Sequence, residues 1–133
     1  MRFVIDSNEY IFAFGSSLET PAHKLLDEFL NKPSLHTIRI PETIFEEVSR
    51  NLPLASIHEF HKFIRELTVV DKDSLVPFDI GAKYEAMNLK MADAFIAAYT
   101  EWVGADALIS ENRHFITRRP DLPFKVLTAE TCL

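Results

Sequence analysis

Cysteine and glycine are nearly missing from this chain: its 133 residues hold one Cys and three Gly. A single thiol, Cys132, excludes an internal disulfide framework and a cysteine-rich zinc site, and suits a reducing compartment. So little glycine, without any low-complexity tract, excludes collagen-like and linker-like chains. No apolar run approaches the roughly 20 residues that a membrane span needs. The opening Met1-Arg2-Phe3-Val4-Ile5-Asp6 meets a carboxylate too early for a secretory signal, so the expectation is a cytoplasmic protein with no membrane association. Basic charge is also scarce. Fourteen Lys and Arg stand against twenty Asp and Glu, a net charge of -6. That argues against coating nucleic acid by bulk charge. It leaves open an enzyme that touches nucleic acid through a local basic patch and bound metal ions.

What is present is an ordinary globular composition, 47% hydrophobic and 26% charged. The length suits a single domain over residues 1–133, with a core that needs no staples. Phe3-Val4-Ile5 is a short apolar run, as in a strand buried on both faces. Thr20-Pro21 has the form of an N-cap followed by proline at the first helical position. It opens a helix carrying Leu25, Leu26, Phe29 and Leu30. Leu35 to Ile40 reads as a second strand. A helix after Pro41 puts Ile44, Phe45, Val48 and Leu52 on one stripe, and another after Pro53 carries Ile57, Phe60, Phe63, Ile64 and Leu67. Thr68-Val69-Val70 is the third strand. Asp79–Leu89 and Ala92–Val103 read as helices, Ala107–Ser110 as the fourth strand and Phe124–Leu127 as the fifth. Strands alternating with helices predict an α/β fold, a parallel sheet covered on both faces.

Ligands of open parallel sheets bind beyond the carboxyl ends of the strands. Two polar triplets stand there: Asp6-Ser7-Asn8 after the first strand and Ser110-Glu111-Asn112 after the fourth. Such carboxylate, hydroxyl and amide oxygens can hold a hard cation, or can simply begin a turn or cap a helix. On the helix after Pro41, the period of about 3.6 residues per turn puts Glu46 opposite the apolar stripe and Glu47 at its flank. Glu47 can therefore lean into a cleft, whereas Glu46 faces water and Glu42 belongs to the first turn. Asp93 is the one charge between Lys90 and Glu101, set among alanines. It is a first-turn cap, an ion-pair member or a metal ligand, because burial without a partner costs several kcal/mol. Asp6, Glu47, Asp93 and Asn112 form the candidate constellation. Carboxylates brought together repel, and a divalent cation relieves them; Mg²⁺ or Mn²⁺ suits oxygen ligands.

Four segments in order resemble the PIN-domain ribonucleases, including toxins of VapC type. They are Val4-Ile5-Asp6-Ser7-Asn8; Ile44-Phe45-Glu46-Glu47-Val48-Ser49-Arg50-Asn51-Leu52; Leu89-Lys90-Met91-Ala92-Asp93-Ala94-Phe95-Ile96-Ala97-Ala98; and Gly104-Ala105-Asp106-Ala107-Leu108-Ile109-Ser110-Glu111-Asn112-Arg113-His114-Phe115. Asn112 stands where many relatives carry Asp, which removes one negative charge, and Glu111 is a candidate substitute. Ser7 stands where Thr is common. The resemblance implies a three-layer α/β/α domain with a five-stranded parallel sheet and metal-dependent cleavage of RNA phosphodiester bonds. Asp6, Glu47 and Asp93 would hold one or two ions, Asn112 would orient a water or a metal, and Ser7, with Asn8, Ser110 and Glu111, would support the ligands. It also implies a toxin that forms a homodimer and is silenced by a small antitoxin protein.

Arg113, His114, Arg118 and Arg119 form the densest basic cluster, a candidate RNA-phosphate contact or a solvated loop. His58 and His61, three apart on a helix, are read as solvated rather than as metal ligands. Phe12 and Phe14 are assigned to the core and Asp106 to a loop. Two rivals remain: a catalytically silent PIN-like module that binds RNA or protein, and a phosphohydrolase acting on small phosphoesters. An aspartyl-nucleophile phosphatase commonly carries a second Asp two residues after the first, where this chain has Asn8.

Overall fold

Phe3, Val4 and Ile5 are almost wholly excluded from solvent, as a strand covered on both faces must be. They belong to β1 (Arg2–Ile5), the centre of a five-stranded, all-parallel sheet of order β3-β2-β1-β4-β5. The other strands are β2 (Thr37–Pro41), β3 (Thr68–Asp71), β4 (Ala107–Ile109) and β5 (Lys125–Leu127). The computed structural model describes residues 1–15, 19–117 and 121–133. All five expected strands form, with ends shifted by one or two residues. Val69 and Val70 of β3 stay half exposed, as fits a strand at the sheet's edge.

The helices are α1 (Ser7–Gly15), α2 (Pro21–Asn31), α3 (Glu42–Asn51), α4 (Leu54–Leu67), α5 (Phe78–Ala86), α6 (Met91–Trp102), α7 (Arg113–Ile116) and α8 (Ala129–Cys132). With the sheet they make a three-layer α/β/α, PIN-like fold. α1 packs on α2, α3 and α4, and α5 packs on α6. Thr20 caps α2 as its sequence predicts, its Oγ1 accepting from the His23 N–H at 3.1 Å, with Pro21 at the first helical position. α5 stops three residues before the expected end because Asn88 takes a left-handed backbone, φ 66°, which a short polar side chain tolerates.

Helix α1 was not among the expected elements. Its signal lies in Tyr10, Ala13 and Phe14, spaced i, i+3, i+4: Tyr10 and Ala13 are buried, and Phe14 lies 5.7 Å, ring to ring, from both Phe60 and Phe63. Phe12 departs from the core reading. It points away from this stripe and is 45% exposed. His61 is likewise not simply solvated: it stacks on Phe45 at 5.1 Å and lies 3.1 Å from Ser49 Oγ, while His58 is exposed. Asp106 is a loop acid, as read, and its Oδ2 accepts from the Arg2 N–H at 2.7 Å. No helix among the described residues is long and apolar enough to cross a membrane.

Candidate functional site at the sheet switch point

Strand order reverses between β1 and β4. From β1 the chain builds outward to β2 and β3, then returns to add β4 and β5 on the other side. Such a reversal opens a crevice at the strands' carboxyl ends, where ligands of open α/β sheets bind. Both polar triplets fall there, since Ile5 and Ile109 are register partners and the Asp6 N–H donates to the Ile109 carbonyl at 2.9 Å.

Asp6 is the hub. Its Oδ2 accepts from Ser110 Oγ at 2.8 Å, and its Oδ1 accepts from the Ser7 N–H at 2.8 Å. Ser110 and Ser7 are both buried, so they fix the carboxylate's orientation. Ser110 Oγ also accepts from the Asn112 N–H at 3.0 Å. Burial pushes the Asp6 carboxyl above its ordinary range. The two hydrogen bonds pull it back in part, and the Asp93 and Glu47 carboxylates raise it further. Asp93, in the first turn of α6, is held from the other side: Asn112 Nδ2 donates to its Oδ1 at 3.2 Å. Asn112 is at the same time the N-cap of α7, its Oδ1 accepting from the His114 N–H at 2.9 Å. The capping and clustering alternatives for this residue therefore hold together.

Glu47 is half-buried and Glu46 exposed, the phase that the apolar stripe of α3 dictates. Asn8, Arg113 and His114 are exposed, the latter two on α7 beside Asn112. Arg118 and Arg119 lie outside the described residues. Glu111 is exposed, and its Oε2 accepts from the Ala129 N–H at 3.1 Å.

One group in the crevice carried no sequence signal. Glu9, three residues after Asp6, is only 2% exposed. Burial, a hydrogen bond shared with Glu111 and the charges of Glu111 and Asp6 push its carboxyl up to about 9. Its Oε1 has no hydrogen-bond partner among the described residues. Apolar neighbours in the sequence, Tyr10 and Ile11, give no hint that an acid between them and Asp6 points inward.

The donor chemistry, three carboxylates with the Asn112 amide beside them, is that of a hard-cation site, and the repulsion felt at Asp6 is what a divalent cation would relieve. As the side chains stand, no three His, Cys, Asp or Glu residues among those described are gathered tightly enough to cage one ion. The acids are near enough to disturb one another and still apart.

No protein-family model and no curated protein matches the chain. Its fold does match solved structures. One is a chain of VapBC2 from Rickettsia felis, determined bound to a DNA fragment from their promoter. The TM-score is 0.65 at 14% identity, over 96% of this chain and 98% of that one. At that identity the likeness is one of fold.

Proposed function

We propose that this chain is a divalent-metal-dependent endoribonuclease, the toxin component of a toxin–antitoxin pair. The observation that carries the reading is the Asp6 centre. Four separate segments bring Asp6, Glu47, Asp93 and Asn112 toward the switch point of the sheet, and the Asp6 carboxyl is raised by burial and by the charges of Asp93 and Glu47 rather than paired with a base. Asp6, Glu47 and Asp93 would hold Mg²⁺ or Mn²⁺, with Asn112 beside them. A bound cation of this kind lowers the pKa of a water and offsets charge on phosphate oxygens. The protein's own part is positioning. Ser110 and the Ser7 N–H aim the two Asp6 oxygens, and Asn112 holds Asp93 while anchoring α7. Arg113 and His114 on α7 would meet the phosphates of an RNA strand. The fold likeness to a VapBC2 chain supports pairing with a small antitoxin; homodimer formation and a cytoplasmic location belong to the same proposal.

One observation favours a second reading, a catalytically silent RNA- or protein-binding module: the acids are not gathered into an ion cage as they stand. Cleavage of a mixed-sequence RNA separates the two. Purified protein is incubated with Mn²⁺, with Mg²⁺ and with EDTA, alongside Asp93→Asn. Cutting that needs the metal and vanishes in Asp93→Asn is expected. Metal binding without cutting would establish the silent module instead.

A further inference from the structure

The sheet has two edges, and the sequence treats them differently. β5 is three residues long, follows Pro123 and carries the exposed Lys125. Shortness, proline and lysine are the features that keep a strand edge from pairing with another chain. β3 has no such guard. It reads Thr68-Val69-Val70-Asp71, without lysine, proline or bulge. Its outer row of N–H and C=O groups faces no partner strand among the described residues. Successive strand side chains point to opposite faces, yet Val69 is 54% exposed and Val70 46%, so both faces of this edge are left partly uncovered. Its one carboxylate, Asp71, is buried and held by Arg39 and Tyr99. The exposed side chains of the strand are therefore apolar. Leu75 and Phe78, on the segment that leaves the edge, are 53% and 90% exposed.

We propose that β3 is where a second copy of this chain docks, edge to edge and antiparallel, joining two five-stranded sheets about a two-fold axis. The inference rests on the homodimer part of the reading above, for which it names the surface. A strand edge is complementary to itself. Set antiparallel to a copy, its outward N–H groups meet outward C=O groups, and the two halves of the contact are identical, as a closed two-fold dimer requires. Charge selects the same occupant. Copies of a chain of net charge -6 repel one another, so they meet where the surface is neutral or matches itself. Glu66 stands two residues before the strand and Lys72 one residue after it, both exposed. Antiparallel order brings the Glu66 end of each copy to the Lys72 end of the other, and opposite charges across a strand pair attract. Asp73, beside Lys72, is already engaged by Thr43. A four-residue strand alone falls short of the roughly 800 Å² that each side of a stable interface buries; Leu75 and Phe78 add apolar area next to it in the chain.

The test is analytical ultracentrifugation of the full chain over a range of concentrations, read as the dimer dissociation constant. A dimer is expected. Val69→Lys and Val70→Lys, both at exposed positions, should each weaken it by at least about tenfold. Glu66→Lys alone and Lys72→Glu alone should each weaken it by about tenfold, because the two-fold counts every new like-charge pair twice. The variant carrying both changes re-forms the pairs with their signs exchanged and should recover most of the loss, a rescue that a folding defect would not give. In a Cys132→Ser background, a short bismaleimide should join Val69→Cys to its copy. A chain that stays monomeric throughout leaves the edge to a different occupant and overturns the proposal. A dimer that these changes leave intact overturns it too, since its surface lies elsewhere. The ribonuclease reading fails separately: a monomer that cuts RNA with metal defeats only the β3 dimer, and a β3 dimer that cuts none defeats only the nuclease.

Discussion

Two aspartates end neighbouring parts of the same sheet and live in opposite electrostatic worlds. Asp71 closes β3; Asp6 follows β1. Burial raises both carboxyls. At Asp71 that cost is outweighed: Arg39 donates to both oxygens, from Nε at 2.9 Å and from Nη2 at 2.7 Å, and the Tyr99 hydroxyl adds a third bond at 2.6 Å. The Asp71 carboxyl ends below its ordinary range and Arg39 above. Asp6 receives only a serine hydroxyl and one backbone N–H, and its nearest charged neighbours are acids, so it ends above. A buried acid with a fork-shaped cation around it holds strands together. One left among other acids costs the fold stability and marks a candidate site. In this molecule the difference identifies the site better than burial does.

The largest effect should come from exchanging the fates of the two acids. Arg39→Met leaves Asp71 buried and unpaired, and chemical denaturation should show a loss of about 3 kcal/mol. Asp6→Asn removes repulsion instead, so it should hold or raise stability while RNA cleavage falls by at least about a hundredfold. Equal destabilisation by both would erase the distinction. Next in size is the response to cations. Mg²⁺ or Mn²⁺ at a hundredfold over its dissociation constant should stabilise the protein by about 2.7 kcal/mol. The matching rise in melting temperature should be absent from Asp6→Asn and present in an Asp71 variant that still folds.

Protonation sharpens the contrast further. Glu9 binds its proton more tightly folded than unfolded, so the unfolded state releases that proton first. Stability from this group is therefore full below about pH 4.5 and declines as the pH rises toward about 9. Melting curves across that window should fall with pH in the wild type and flatten in Glu9→Gln; parallel curves would refute the shared-proton pair. Asp71 has the opposite sign, its stabilisation being present above the ordinary carboxylate range and lost as acid protonates it. The smallest effect is reserved for α3, where Glu46→Gln should leave cleavage within about twofold and Glu47→Gln should cut it severely. The reverse order would mean that Glu46, not Glu47, faces the crevice.

Much of this architecture was legible because short apolar runs and helix stripes are local signals. The Glu46/Glu47 phase followed from Ile44, Val48 and Leu52 alone, and the N-cap at Thr20 from two residues. The start of helix α1 is masked because Asp6-Ser7-Asn8 has the composition of a turn. Phe12 was assigned to the core by type, although its neighbours at 10, 13 and 14 define a stripe that excludes it. Asp71 and Arg39 lie 32 residues apart on strands that pair only in the folded sheet, so no local pattern could join them.

By itself the sequence determined the order of the strands and of helices α2 to α6, the parallel sheet and the acids that stand at strand ends, because each depends on periodicity and chain order. Only the tertiary structure decided which acids are neutralised and which are not. Charge compensation is a property of neighbours across the fold, where Asp71 meets Arg39 and Tyr99, while Asp6 meets Asp93 and Glu47. It also decided that Glu9 turns inward with an unfilled oxygen, since the direction of one side chain on a helix is settled by what packs against it and not by the residues on either side.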